Sequence, residues 1–598
     1  MNAFSPREGF VSRALLIRVA VAWLVICLIA LARDMGAIRA MAFADPDDML
    51  RLVQVRDLLG GQGWFDLHQY RINPANGGVL MHWSRLVDLP IAAMILLLRP
   101  VLGTAGAEQA TAIIIPLFTL FIALLLAARV AWKQFNLEIA ALTAMSWMLA
   151  FPTMHQLDPL RIDHHGWQIV AVLAAVNGLV SSNARSGGWL TGAAMAFGMS
   201  ISLELLPFTG LMAGIFGLRW LRDPAQRDWL VNMMQALAVT SIGLFLATRG
   251  FADLVNHCDI IAPAYLAGFV LAALLITAIA RLPQFSPPAL IALLGVSVGA
   301  VVLAYLALAP ECTTGPFAQL DPLVRKFWYN NVFEGRPVWV MEWPAMVQLV
   351  VPPLVALGAL FSLYRSAPET QRRFIIEFGL LLAGALAIGI AVTRFGSVAC
   401  ALATIPLGWM LRVWLDRINI FASPVKRIAG LALLLALMVP GVVALGIDMG
   451  IARLAHRSGA TLSAASMGVR FSCGMPASMQ ALDALPPATI FAPLDIGPGI
   501  IGHTRHSVIA TGHHRASSAM HDVIATFLAS PDEAHQTVLR HKASYVVFCS
   551  DLAETGNYRR KAKAGLAAQL GAGQAPDWLE PVKLSGKPGT LRVWRVIK

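Results

Sequence analysis

The feature that most constrains this chain is a succession of apolar windows, many of them long enough to cross a bilayer. Such windows near 14–32, 109–130, 137–154, 166–182, 188–203, 205–220, 229–248, 264–280, 288–308, 345–364, 375–392, 396–411 and 428–446 predict about thirteen membrane-spanning helices. A backbone in hydrocarbon must satisfy its own polar groups, so the expected fold class is a polytopic α-helical membrane protein. Composition agrees. The chain is 57% hydrophobic and 13% charged, with a mean hydropathy of +0.66, too apolar for a soluble enzyme of this length.

A formal charge of +12 raises the question of nucleic acid, and the placement of the bases answers it. Arg129, Lys133, Arg185, Arg219, Arg222, Arg227, Arg281, Arg365, Arg372, Arg373, Arg412, Arg417, Lys426 and Arg427 lie in or beside short connections between apolar windows. The positive-inside rule explains them there, and a nucleic-acid partner is not expected. The first window, Ala14 to Leu31, follows Arg7 and Arg13 and is followed by Arg33 and Asp34 in place of a small-residue cleavage site. It reads as a retained span. The charge pattern puts the amino terminus in the cytoplasm, and an odd number of spans puts the carboxyl terminus outside a bacterial-type inner membrane.

Three long segments then face the extracytoplasmic side: 33–108, 309–344 and 447–598. Long ordered connections are commonly functional. In the first, Leu50, Val53 and Leu58 recur on one side of a helix from Pro46 to Leu59, expected to lie along the membrane surface and to end at Gly60-Gly61. Pro90 to Leu98 is apolar but short and reads as re-entrant or interfacial, with a short extra span as the alternative. The expected division is a transmembrane domain over 1–446 and an outer α/β domain over 447–598. In the second domain, apolar runs at 488–491, 507–510 and 545–548 alternate with helical stretches at 520–528 and 532–539. That alternation predicts a mainly parallel sheet, closed by Thr590 to Trp594. There are six cysteines and no closely spaced Cys pair to signal a metal. Cys473 and Cys549 are candidates for a disulfide that spacing does not decide.

Asp45-Pro46-Asp47-Asp48 sits at the mouth of the first span. Carboxylates beside hydrocarbon call for a cation or water, so the cluster reads either as a divalent-metal site or as the N-cap of the helix that follows. Arg161-Ile162-Asp163-His164-His165 lies in a second outer loop and combines a carboxylate with two imidazoles, a workable donor set for a metal. Glu334 in the 309–344 loop either meets a substrate hydroxyl or amide, completes a metal shell, or is simply solvated. Glu204 fits an outer turn or wet cavity better than the bilayer centre, where a carboxylate costs about 3 kcal/mol. Arg394, at an outer turn, suits either a bidentate phosphate contact or snorkelling to the interface. In the carboxy-terminal domain Asp495 in Pro493-Leu494-Asp495-Ile496-Gly497, together with His503, His506, His513, His514 and Arg515, forms either an anion- or sugar-binding surface or ordinary domain surface. Gly-rich phosphate loops, nucleophile elbows and zinc-protease helices are missing from the sequence.

Through Asp45 to Arg51 and Asp163 to His165, with the number of spans and the outer carboxy-terminal domain, the chain resembles the GT-C superfamily of membrane glycosyltransferases. Within it, the resemblance is to the catalytic subunits of oligosaccharyltransferases. That resemblance implies a divalent metal, Mg²⁺ or Mn²⁺, held by Asp45, Asp163 and His165, with Asp47 nearby. It implies that Asp45 or Asp47 orients or deprotonates the acceptor and that Glu334 acts on the acceptor side. Arg394 would meet the donor phosphate, and Asp495, His514 and Arg515 would face the acceptor. The implied donor is a polyprenyl-phosphate or -diphosphate sugar within the membrane lipid, and the acceptor a glycan, lipid or protein. The family's Trp-Trp-Asp-Tyr-Gly motif is missing, and Pro493 to Gly497 keeps its Asp and Gly alone. The rival expectation, a transporter or lipid-linked-glycan flippase, has neither an internal repeat nor a matched pair of broken spans to support it.

Overall fold

The computed structural model describes residues 11–283, 285–317, 320–457, 473, 476–586 and 589–597. In chain order the helices are α1 (Arg13–Ala40), α2 (Pro46–Leu59), α3 (Arg85–Gln134), α4 (Leu137–Ser146), α5 (Phe151–Met154), α6 (His165–Leu179), α7 (Ala184–Ile201), α8 (Leu206–Arg222), α9 (Arg227–Thr248), α10 (Pro263–Arg281), α11 (Pro287–Leu308), α12 (Pro322–Phe327), α13 (Trp343–Ser366), α14 (Glu369–Ala391), α15 (Gly396–Ile420), α16 (Pro424–Met438) and α17 (Pro440–Arg457). A two-stranded hairpin, β1 (His68–Gln69) and β2 (Val79–Leu80), interrupts the first long connection.

Eight helices among the described residues are long and apolar enough to cross a membrane, or nine if α16 and α17, bent by 96°, count as one broken span. About thirteen were expected. The difference lies in short elements: α4 and α6 are apolar but have 10 and 15 residues, α8 has 17, and α7 is rich in small and polar residues. Gly187, Gly188 and Gly192 on α7 meet Trp229, Met233 and Ala236 of α9 so closely that no Cβ would fit. Small residues that admit a neighbouring backbone are a usual basis of helix packing in lipid, and they lower the hydropathy of the helix that carries them. The Pro90 to Leu98 segment is not a separate re-entrant loop. It belongs to the first limb of the 50-residue α3, which breaks at Gly103, where φ is 67°. That backbone conformation favours glycine.

The carboxy-terminal part adds α18 (Pro476–Asp483), β3 (Thr489–Phe491), α19 (Gly497–His503), β4 (Ser507–Val508), α20 (Ser517–Leu528), α21 (Pro531–Arg540), β5 (Tyr545–Cys549), α22 (Ala553–Lys561), α23 (Leu566–Gly571), β6 (Leu579–Val582) and β7 (Leu591–Val596). Its sheet has the order β4-β3-β5-β7-β6. The first three strands are parallel and the last two antiparallel. Cys473 is bonded to Cys549, and a second disulfide, Cys258–Cys312, joins the connections after α9 and α11.

This α/β unit rests on the first long connection, not beside it. Arg71 to Asn73 lies along the free edge of β4, with Val508 donating to Arg71 and Asn73 donating to Val508, each at 2.8 Å. That covers a sheet edge that would otherwise be open to pairing. Met49 of α2 packs onto Gly502 of α19, while Arg56 of α2 reaches both the Gly502 carbonyl and Glu108 of α3. As a result α2 is buried from Asp48 to Val55. It does not lie along a membrane surface as its apolar spacing suggested. It is a wedge between the bundle and the α/β unit.

The wedge is fixed by Asp88 at the start of α3. Its carboxylate takes Arg51 at 3.0 Å, Arg85 at 3.1 Å and Gln54 at 2.7 Å, and all three charged side chains are at most 1% exposed. Arg51 also stacks over Trp83. Removing one partner of such a set strands buried charge. Asp88→Ala is therefore expected to lower stability by about 3–5 kcal/mol, read as earlier thermal unfolding in detergent. Asp483→Ala, which breaks the exposed pair with Arg505, should change it by less than about 1 kcal/mol.

Candidate active site

Five stretches far apart in sequence converge at one end of the bundle: the start of α2, the loop before α6, the turn between α7 and α8, the connection that carries Glu334, and the turn before α15. Pro46 occupies the first turn of α2, and Asp45 caps it by accepting from the Asp47 backbone at 3.0 Å. The capping reading holds for this residue. Its second oxygen pairs with Arg161 at 2.9 Å.

Arg161 is the hub. Its Nη1 also meets buried Asp48 at 2.9 Å, and its Nη2 lies 3.6 Å from Asp163. Asp48 uses its other oxygen to hold the Asp163 backbone N–H at 3.0 Å, so one completely buried carboxylate ties the first loop to the second. Asp163 in turn accepts from the His165 backbone at 3.1 Å, which starts α6. Its remaining oxygen is buried without a hydrogen-bond partner and lies 3.5 Å from His165 Nε2. His165 Nδ1 contacts Gln168, which donates to Glu204. From the other side Arg394 binds Glu204 at 2.5 Å and Glu334 at 2.9 Å, and Thr393 holds the Glu334 carbonyl.

The charge balance is uneven. Asp45, Asp47, Asp48, Asp163, Glu204 and Glu334 gather around the ion-pairing guanidiniums of Arg161 and Arg394. Burial, with Asp45, Asp163 and Glu334 close by, pushes the Asp47 carboxyl up to about 8. Burial opposes ionisation at Asp163 as well, but the His165 ring and Arg161 outweigh it and hold that carboxyl well below the usual range. Burial lowers His164 to about 3, leaving a neutral imidazole whose Nδ1 is buried without a partner. Ligand atoms of Asp163, His164 and His165 lie within 4.8 Å of one another. An unpartnered carboxylate oxygen, two imidazoles and an excess of negative charge fit a divalent cation.

The structure thus brings Asp45, Asp47, Asp163, His165, Glu334 and Arg394 into one place. Asp45 differs from the expected ligand set in being engaged by Arg161, and His164 stands in the set that Asp45 was expected to complete. Asp48 and Arg161 were read in the sequence without an organising role. An Arg next to an Asp-His-His run, with more acids than it can neutralise locally, was the available signal. Asp495 is exposed and lies beside buried Glu554, which accepts from the Leu494 and Asp495 backbone N–H groups. His514 and Arg515 both bind Asp259.

No known protein family is matched by the sequence, and no curated protein is matched either. Solved structures do match. The archaeal oligosaccharyltransferase AglB from Archaeoglobus fulgidus, in complex with an inhibitory peptide and a dolichol-phosphate, aligns with a TM-score of 0.63 and 13% identity over 97% of this chain and 75% of that one. The fold is that of this oligosaccharyltransferase. Its form tethered to an acceptor peptide containing the NVT sequon aligns at 0.60 and 13% identity, over 97% and 75%. Its complex with Zn and sulfate aligns at 0.55 and 11%, over 94% and 72%. The GT-C resemblance read from the two acidic loops therefore holds at the level of fold.

The raised Asp47 carboxyl has a consequence for cation binding. Below pH 8 it carries a proton that a cation must displace, and above pH 8 it does not. Mn²⁺ affinity of the purified chain should rise as pH climbs toward 8 and then level off, measured by calorimetric titration. Asp47→Asn should flatten that rise.

Proposed function

We propose that this chain is a multi-pass membrane glycosyltransferase. It transfers a sugar or oligosaccharide from a polyprenyl-phosphate or -diphosphate donor to an acceptor on the extracytoplasmic face. The observation that carries this reading is the convergence of the two acidic loops with Glu204, Glu334 and Arg394 at one end of a bundle with the oligosaccharyltransferase fold. The dolichol-phosphate and acceptor peptide bound by the archaeal enzyme support the same donor and acceptor classes here.

Asp163, His164 and His165 would hold a divalent metal, Mg²⁺ or Mn²⁺, with Asp47 and Asp45 at its edge. When bound, such an ion stabilises negative charge developing on a leaving phosphate. Arg394 adds a guanidinium at the same end, positioned by Glu204 and Glu334. Asp47, once its raised carboxyl has given up its own proton, is suited to accept one from an acceptor hydroxyl or amide, and Asp45 to orient that group. Glu334, 38% exposed at its side chain, faces the acceptor approach. Exclusion of water by the connection that carries it would favour transfer over hydrolysis.

An apolar cavity is a candidate for the donor tail. It has a volume of about 410 Å³ and lies between α8, α9, α10 and α11. Gly210 and Gly214 line it with open space where a side chain would be.

Radiolabelled lipid-linked sugar incubated with membranes tests the proposal. Transfer should require a divalent cation, and Asp163→Ala should lower it by about 10²-fold or more with expression unchanged. Full activity in Asp163→Ala and Asp45→Ala would remove the assignment. Gly214→Leu should raise the KM for a long-chain donor more than it lowers kcat, as expected of a lost binding groove.

A further inference from the structure

A second cluster of metal-ligating side chains lies where the α/β unit meets the first long connection, among residues that the proposed chemistry does not use. His82 stands between β2 and α3. His513 and His514 stand between β4 and α20. One ring nitrogen from each lies within 4.8 Å of the others. His82 Nδ1 and His513 Nε2 are 2.8 Å apart. His513 is 3% exposed, and its Nδ1 has no hydrogen-bond partner. Nε2, and not this Nδ1, faces His82, so Nε2 is the His513 nitrogen that a cation shared with His82 would bind.

The surroundings are arranged as a metal site requires. His514 Nε2 is held by Asp259 at 2.7 Å, leaving Nδ1 as its remaining ring nitrogen. Asp259 is itself clamped by Arg515 through two contacts of 2.9 and 2.7 Å. A carboxylate that fixes a histidine through its far nitrogen is a recurring support of metal-bound imidazole. Trp83 packs edge-on to His513 and Phe317 edge-on to His514, shielding the cluster. In a tetrahedral site with metal–nitrogen bonds of about 2.0–2.1 Å, ligand nitrogens sit about 3.3 Å apart. The 2.8 Å pair needs to open by about half an ångström to reach it.

We propose that His82, His513 and His514 form a zinc-class divalent cation site that clamps the α/β unit to the membrane bundle, with Asp259 orienting His514. Three imidazoles with no carboxylate among the ligands favour a borderline metal over Mg²⁺ or Ca²⁺. The site joins three segments, the β2–α3 loop, the α9–α10 connection through Asp259, and the β4–α20 loop. It does not rest on the glycosyltransferase reading.

The test uses the full-length purified chain, stripped with chelator and dialysed against Zn²⁺. To separate this site from the acidic one, the background is Asp163→Ala/His165→Ala. That chain should retain one equivalent of Zn²⁺ by elemental analysis. Adding His82→Ala or His513→Gln should remove that equivalent, and Zn²⁺ should raise the thermal unfolding temperature of the background protein but not of these variants. No bound Zn²⁺ in the background chain, or an unchanged equivalent after His513→Gln, would overturn the proposal. Should the added substitutions fail to fold, Co²⁺ titration of the background chain decides. Visible absorption bands of tetrahedral, nitrogen-coordinated cobalt are expected, and their absence overturns the site.

Discussion

The buried ion pair between Arg161 and Asp48 is the interaction on which the arrangement of the site depends. Neither side chain is more than 3% exposed, so each is a charge that has lost its water and is tolerable only beside the other. Asp48 spends its second oxygen on the Asp163 backbone, which sets the loop from which Asp163, His164 and His165 project. Arg161 spends its remaining reach on Asp45 and Asp163. Buried ion pairs are often replaceable by apolar residues of equal volume at little cost in stability, yet such a replacement here would remove contacts that register the first loop against the second. Position, more than stability, is what this pair supplies.

The same logic extends outward through α2. Its amino-terminal end carries Asp45, Asp47 and Asp48, its middle is bound to Asp88 through Arg51 and Gln54, and Arg56 near its other end reaches Glu108 and the Gly502 carbonyl. One helix therefore reports the position of α3 and of the α/β unit to the acid cluster. A rigid helix under three acids is a better support for a ligand set than a loop would be.

Much of this was legible in the sequence, and the parts that were not share a cause. Asp45 and Asp163 lie in short motifs, and their residue types suffice to suggest a cation. The outer helix from Pro46 to Leu59 was also readable from its apolar spacing and the glycines after it. Its burial was not. The surface that covers it comes from Gly502 and its neighbours, hundreds of residues away, and periodicity on one segment cannot reveal a partner from another. Short helices such as α4 and α6 read as full spans because apolar windows ran across their ends, where the chain turns. Arg99 and Glu108 flank Gly103 and separate two apolar stretches, so the helix that runs through both on either side of the break was not apparent. His82 carried no signal of its own, since an isolated histidine becomes a ligand only when folding brings His513 and His514 to it.

Exposure across the acid cluster is graded, and the gradient constrains how substrates exchange. Asp48 and Asp163 form a dry inner wall, with side chains 0% and 2% exposed, and every rearrangement there would strand charge. Glu204 and Glu334 form an outer wall, 33% and 38% exposed, where water can replace a lost partner. Arg394 spans both members of that outer wall. An incoming phosphate that competes for Arg394 therefore displaces Glu334 or Glu204 into solvent at small cost, while the inner wall stays fixed. On the glycosyltransferase reading, donor binding at Arg394 is coupled to release of Glu334 toward the acceptor side, because one guanidinium cannot satisfy phosphate and both carboxylates at once. On that reading the inner wall would set where the reaction occurs, and the outer wall would set when.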